Sequence, residues 1–271
     1  MNDTYIVTSY VVIDDILKAY GYQDDCRAQG SAAEILTVAV VAAKYLQNHH
    51  ERTLYILKQL GYIGQMSVSR FSRRLHALYD WLQNIVILLG EIYAQGEVYI
   101  IDSMPLPVCK RVRARRCKKV RGRAFCGYCA AKNEKFFGWR LHLICTAEGI
   151  PVSFDLLPAS LHDLTPVHEL AFCLPAGSSL FGDKGFISAD DANSLLDETA
   201  VRLVTPKRKN MAPNTWADDY DLALYRKRIE SVYSQLEAMG VQRLHARTNL
   251  GFELKTLASL LALAFTNIFI N

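Results

Sequence analysis

Through the first 95 residues, apolar positions recur at the spacing of helices, about every 3.6 residues. From residue 98 they gather instead into short runs of strand length. Ala32 to Leu46 is an alanine- and valine-rich run with Ser31 before it as an N-cap, which predicts one helix. Thr53 to Leu60 predicts a second, ended by Gly61. After a turn from Gly61 to Met66, the stretch Ser67–His76 places Val68, Phe71, Leu75 and then Leu78 at helical spacing, with Ser67, Arg70, Arg73 and Arg74 on the other faces. Helix, glycine turn and basic helix is the order of a helix-turn-helix, whose second helix reads DNA. An ordinary helical hairpin gives the same pattern.

Val98–Asp102 predicts a first strand, and Gly138–Thr146 with Ile150–Leu157 a hairpin about the turn Glu148-Gly149. Ser179–Asp183 predicts a fourth strand, Ala189–Glu198 a helix, and Val201–Thr205 a fifth strand closed by Pro206. Helices follow over Leu224–Met239 and Glu253–Phe269. Three strands, a crossover, a strand, a helix, a strand and further helices is the order of a ribonuclease H-like core. The expected fold class is therefore α/β, a mixed sheet with helices, preceded by an all-helical region. Residues 1–95 are expected to form the helical, helix-turn-helix-like DNA-binding region and residues 96–271 the catalytic domain. In such a core the first and fourth strands lie side by side. Asp102 and Asp183 would then be neighbours at carboxyl ends, where open α/β sheets place their sites.

Charge sharpens this picture through its distribution. The net charge is only +4, from 31 basic and 27 acidic side chains. Residues 1–90 hold eight of each, so the excess lies downstream. It concentrates in a basic loop, residues 106–123, where Lys110, Arg111, Arg113, Arg115, Arg116, Lys118, Lys119, Arg121 and Arg123 occur without one acid. Such a run is often a solvated loop, but this density of one sign suits nucleic acid.

An apolar share of 51% is ample for a core and argues against disorder. The most apolar stretch, Leu257–Ile270, is shorter than the roughly 20 residues of a membrane span and is interrupted by Ser259, Thr266 and Asn267. It reads as a buried helix, with no membrane partner. Seven irregularly spaced cysteines, after a start (Met1-Asn2-Asp3) without a basic leader, point to a reducing cytoplasm. Cys126-Gly127-Tyr128-Cys129 is one tight pair, with Cys109 and Cys117 as further thiols. A structural zinc site usually shows two such pairs, so buried or incidental thiols are the simpler reading.

Phosphodiester chemistry needs an activated nucleophile, neutralised phosphate oxygens and a stabilised leaving oxygen. Two Mg²⁺ ions about 3.5–4 Å apart provide all three in an in-line displacement, and Mg²⁺ asks only for a few hard oxygen ligands. Asp102 would bridge the ions, Asp183 complete one and Glu230 the other, with Mn²⁺ as a substitute. Taken singly, an aspartate after a strand is more often a turn former, and a helical glutamate usually faces solvent. Glycines on both sides of Asp183 suggest close backbone approach.

Together these residues resemble a known family. Ile101-Asp102-Ser103 with Pro105 and Pro107, then Gly182-Asp183-Lys184-Gly185-Phe186, then Arg226, Ile229-Glu230, Tyr233, Ser234 and Leu236 are similar to a bacterial DDE transposase, in particular the insertion sequence 982 family. Gly138–His142, Gly149–Val152, Ser160–Asp163 and Ser69–Leu78 extend the resemblance over nearly the whole chain. It implies catalytic and metal-ligating roles for Asp102, Asp183 and Glu230. Arg226, four residues before Glu230 and on its helix face, would contact phosphate or orient that glutamate. The expected DNA contacts are Arg70, Arg73 and Arg74, then Lys110, Arg111, Arg113, Arg115, Arg116, Lys118 and Lys119, with Lys184 and Arg226.

Seven residues after the glutamate, relatives usually carry lysine. This chain has Glu237, which weakens that contact and is a minor rival for third ligand. His142 alternates with apolar neighbours on its strand, so a structural or DNA-backbone role is expected of it. His162-Asp163 would cap the next helix. Phe136-Phe137-Gly138-Trp139 would be core, with Trp139 as an alternative platform for a base.

The expected function is Mg²⁺-dependent cleavage of double-stranded DNA at element ends, followed by strand transfer into target DNA. Two ends to pair imply a homodimer on DNA, at the nucleoid in the cytoplasm. The alternatives are a structure-selective nuclease of the same fold and a catalytically decayed DNA-binding protein.

Overall fold

The computed structural model describes residues 1–129, 132–209 and 211–269. The helices are α1 (Asp3–Ala19), α2 (Ala32–Leu46), α3 (His50–Gln59), α4 (Val68–Ala77) and α5 (Tyr79–Tyr93), then α6 (Val167–Ala171), α7 (Ala189–Thr199), α8 (Trp216–Ala238) and α9 (Asn249–Phe269). Between α5 and α8 lie β1 (Val98–Lys110), β2 (Cys126–Cys129), β3 (Glu134–Thr146), β4 (Pro151–Pro158), β5 (Ser179–Gly182) and β6 (Arg202–Val204). Packing divides the chain into two compact units: Met1–Leu88 with Gln235–Asn271, and Leu89–Ser234. This differs from a single cut at 95/96, because the last helix packs with the first ones.

In the helical unit, α2 starts with a capping box. The Ser31 hydroxyl accepts the Glu34 N–H (3.1 Å), and the Glu34 carboxylate accepts the Ser31 N–H (2.7 Å). Helix α9 is buried from Phe252 to Asn267 almost without interruption and packs against α1, α2 and α4. It begins four residues before the expected Glu253, and by length and composition it could cross a membrane. However, 78% of its most apolar stretch is buried inside the protein, as suits a core helix. Ile270, at the end of the apolar run read from sequence, lies outside the described residues.

Helix α4 is amphipathic as expected. The Ser67 hydroxyl accepts the Arg70 N–H (3.2 Å), and Phe71 and Leu75 are buried. Residues 60–67 separate it from α3, a longer connection than the three or four residues, roughly, of a compact helix-turn-helix. Arg70 and Arg73 are exposed. Arg74 is turned inward to an ion pair with Asp24.

In the other unit the strands form a six-stranded sheet among the described residues. β3 pairs antiparallel with β1 on one edge and with β2 and β4 along successive stretches of the other. β5 lies parallel to β1 on its far side, and β6 parallel to β5. The mixed sheet with β5 beside β1 is the arrangement expected from the sequence. Its apolar layer gathers Tyr99, Ile101, Ile144, Leu180, Phe186 and Leu195, each almost fully buried.

Strand β1 corrects the sequence reading. Instead of ending at Asp102 it runs on to Lys110, so Leu106–Lys110 of the expected basic loop is strand, and Arg111–Arg116 is a short 3-10 helix. Pairing with β5 stops at Ile101↔Gly182, whereas pairing with β3 continues, with a bulge between Pro107 and Cys109. β1 is therefore an edge strand beyond Asp102, where the missing N–H groups of Pro105 and Pro107 are tolerated. The prolines that read as loop are edge-strand residues. Strand β2 is not legible as such in the sequence, being four residues with a glycine. Cys126 and Cys129 sit at odd spacing on it and so point to opposite faces, which keeps them from sharing one metal.

Candidate active site

The end of the β1–β5 pairing builds the site. Because the parallel register closes with Ile101↔Gly182, the next residues on the two strands, Asp102 and Asp183, emerge side by side. Asp102 stands in mid-strand rather than at a strand end. Its Oδ1 accepts the N–H of Ser103 (2.7 Å). Asp183 leaves β5 into a short 3-10 turn, and its Oδ1 accepts the N–H of Gly185 (2.7 Å). Helix α8 brings Glu230. Asp102, Asp183 and Glu230 line one cavity of about 300 Å³, together with Lys184, Arg226 and the apolar walls Ile101, Phe181 and Ile229.

Burial, together with the charges of Asp183 and Asp163, pushes the Asp102 carboxyl up to about 7, against the Ser103 hydrogen bond and the distant pull of Arg140. Glu230 does not face the aspartates. It is exposed, and its Oε1 accepts a hydrogen bond from Arg226 Nε at 3.2 Å. Among the described residues, no three acidic, histidine or cysteine side chains converge tightly enough to hold a metal as they stand. The trio shares a cavity with two carboxylates adjacent and the third turned to its own helix.

The expected DNA-contacting residues fall into three places. Lys184 and Arg226 line the cavity. Lys110, Arg111, Arg113, Arg115, Arg116, Lys118 and Lys119 lie beyond it, most of them exposed. At about 3.3 Å per residue, the eight steps along β1 from Asp102 put Lys110 roughly 26 Å away. Arg70, Arg73 and Arg74 belong to the helical unit.

Four residues beside Asp102 lie in segments of the family resemblance but are not among the expected site residues. His142, directly opposite Ser103 across β1 and β3, is completely buried, which removes the DNA-backbone role expected of it. Its Nε2 is 3.4 Å from Asp163 Oδ1. Arg140 Nη1 lies 3.6 Å from the same oxygen and donates to Ser103 Oγ (3.1 Å). Burial works to raise the Asp163 carboxyl, but the polar groups of His142, Ser103 and Arg140 beside it outweigh burial and hold it below the usual range. The Tyr233 hydroxyl is buried without a hydrogen-bond partner, and burial first, then Asp102 and other nearby charges, raises it well above the ordinary tyrosine value.

Neither His162 nor Asp163 caps the next helix, since α6 has Pro166 at its N-cap without a side-chain hydrogen bond; His162 instead accepts the Leu164 N–H of the turn before it at 3.3 Å. The available signal for Asp163 was its position just after β4, the strand neighbouring β3. Phe136 and Phe137 are core, and Trp139 packs edge-on against Phe125 with ring centres 4.8 Å apart.

A family model described as "Transposase DDE domain" matches residues 93–249, more than half of the chain. No curated protein matches. Among solved structures, the Mos1 transposase paired-end complex with left transposon end is 11% identical, covering 86% of this chain and 87% of that one. Its TM-score of 0.27 is too low to carry an argument about fold.

Proposed function

Because the chain belongs to the DDE transposase family, we propose that it mobilises a bacterial insertion sequence of the 982 family by cutting at element ends and joining them to target DNA. The observation that carries this reading is the shared cavity of Asp102, Asp183 and Glu230. The donor set fits Mg²⁺: all three are hard carboxylates that line one cavity. Asp102, Asp183 and Glu230 would hold it, with Mn²⁺ as a substitute. When bound, two such ions supply the pull on the phosphate oxygens and the activation of the attacking oxygen that in-line displacement requires.

The chain's own residues supply the rest. Lys184 and Arg226 at the cavity draw in the scissile phosphodiester. A phosphate that takes the Arg226 guanidinium releases Glu230 to turn toward the aspartates. Water adds to phosphorus as the 3′ oxygen departs and takes up a proton. The freed 3′ hydroxyl then attacks a target phosphodiester, forming one P–O bond as another breaks. The basic segment from Lys110 to Lys119 would hold flanking duplex, since roughly 26 Å corresponds to seven or eight base pairs at about 3.4 Å each. Arg70 and Arg73 of α4 would contact the element end, and Arg74 would join them on release from Asp24. Pairing two ends calls for a homodimer on double-stranded DNA, at the nucleoid of the cytoplasm.

The test incubates the purified protein with Mg²⁺ and labelled element-end DNA, beside Asp183→Asn. Cleaved ends plus joined products from the wild type alone support the proposal. Hydrolysis without joining would make it a nuclease, and end binding without cleavage in either protein would make it a decayed binder.

A further inference from the structure

The acid beside the trio has a place of its own. An ideal Cβ built on Gly185 would stand 2.9 Å from Asp183 Oδ1 and 2.9 Å from Asp163 Oδ2, so those oxygens are at most 5.8 Å apart, twice 2.9 Å. The other oxygen, Asp163 Oδ1, faces inward, 3.4 Å from His142 Nε2 and 3.6 Å from Arg140 Nη1. That arrangement fixes one oxygen in the interior and leaves the other toward Asp183. His142 is completely buried, and neither ring nitrogen makes a well-formed hydrogen bond. A buried imidazole short of partners is costly. The absence of a side chain at residue 185 is what lets the two carboxylates approach.

We propose that Asp163 is a fourth carboxylate of the cation-binding site, held in place by His142 and Arg140 and acting on the cation beside Asp183. The inference rests on Asp102 and Asp183 being the cation ligands. Asp163 either contacts the cation or accepts a hydrogen bond from its water shell. In both cases it adds negative charge within a few ångströms of Asp183, and loss of such a group typically weakens metal binding about 10–100-fold.

The measurement is Mn²⁺ binding by the full-length, DNA-free protein, read from the free-ion electron paramagnetic resonance signal. The wild type is compared with Asp163→Asn, Gly185→Ala and Asp183→Asn, and circular dichroism checks that each is folded. Asp183→Asn should lose binding, and Asp163→Asn should weaken it about tenfold or more. Gly185→Ala keeps every carboxylate but crowds the facing oxygens of Asp163 and Asp183, so it should weaken binding too, and it carries the test if Asp163→Asn does not fold. Wild-type affinity in both Asp163→Asn and Gly185→Ala, with binding lost in Asp183→Asn, overturns the inference alone. Wild-type affinity in all three variants overturns the reading of the site, and this inference with it.

Discussion

Arg226 Nε donates to Glu230 Oε1 at 3.2 Å, one helical turn apart, so the acid proposed as third ligand is held by the residue proposed to receive phosphate. Both side chains are well exposed, at 75% and 63%, and an exposed pair at this spacing stabilises a helix by only about 0.3–0.5 kcal/mol. Breaking it should therefore hardly affect folding. Arg226→Ala should leave the melting temperature within about 2 °C of the wild type while lowering cleavage of element-end DNA at least tenfold. Arg226→Lys should recover part of that loss, since it restores the charge without the guanidinium fork. Unchanged cleavage by Arg226→Ala would show that the pair is only a surface ion pair.

Glu230 and Glu237 compete for the same role in the sequence, and the structure separates them. Glu230 lines the cavity, whereas Glu237 does not and is grouped with the helical unit. Glu230→Gln is expected to reduce cleavage to background with binding retained. Glu237→Gln should stay within about twofold, the ordinary range for a surface change. Glu237→Lys, which adds the cation that the family resemblance implies here, should tighten DNA binding. Gel-based cleavage and filter binding on the three proteins decide the matter. Loss of cleavage in Glu237→Gln would reverse the assignment.

The basic segment makes a prediction about salt. Arg113, Arg115 and Arg116 are exposed on the 3-10 turn after β1, where they are free to reach a duplex backbone. Removing one cation that neutralises a phosphate should flatten the slope of log affinity against log salt by about 0.9. The triple change to glutamine is expected to flatten it by roughly two to three units, with the largest effect on DNA that extends past the cleavage site. Wild-type slope in the triple variant would move the DNA path elsewhere.

Much of this site was legible because its signals are local. Apolar runs ending in Asp102 and Asp183, and a glutamate one turn after Arg226, need no long-range information. The strand order then set the two aspartates side by side. What escaped depends on the far side of the sheet. Pro105 and Pro107 read as loop because their tolerance rests on β5 stopping at Gly182, which leaves that edge of β1 open. Cys126–Cys129 is too short for its pattern to show, and it is a strand only because Phe136 and Phe137 lie opposite. Asp163 read as a cap because nothing in its neighbourhood of the sequence reveals His142 and Arg140 beneath it. The kinship of α9 with α2 is likewise a matter of burial, not of pattern.

His50 ties the stability of the helical unit to pH. Its Nε2 is buried without a hydrogen-bond partner, and its ring packs edge-on against Phe71 of α4, with ring centres 5.2 Å apart. Burial, reinforced by the positive charges of Lys255, His49 and His76, lowers its pKa to about 3, against 6.5 when free. The unfolded chain therefore binds a proton on this residue between those values while the folded one does not. Stability is complete above about pH 6.5 and falls as pH drops toward 3. The contribution is at most roughly 1.4 kcal/mol per pH unit. Other groups titrate in the same window, so the informative quantity is a difference. Melting curves from pH 7 to pH 4 should fall more steeply for the wild type than for His50→Phe, which keeps an aromatic ring against Phe71 and cannot be protonated. Parallel curves for the two proteins would mean that His50 is protonated in the fold without cost.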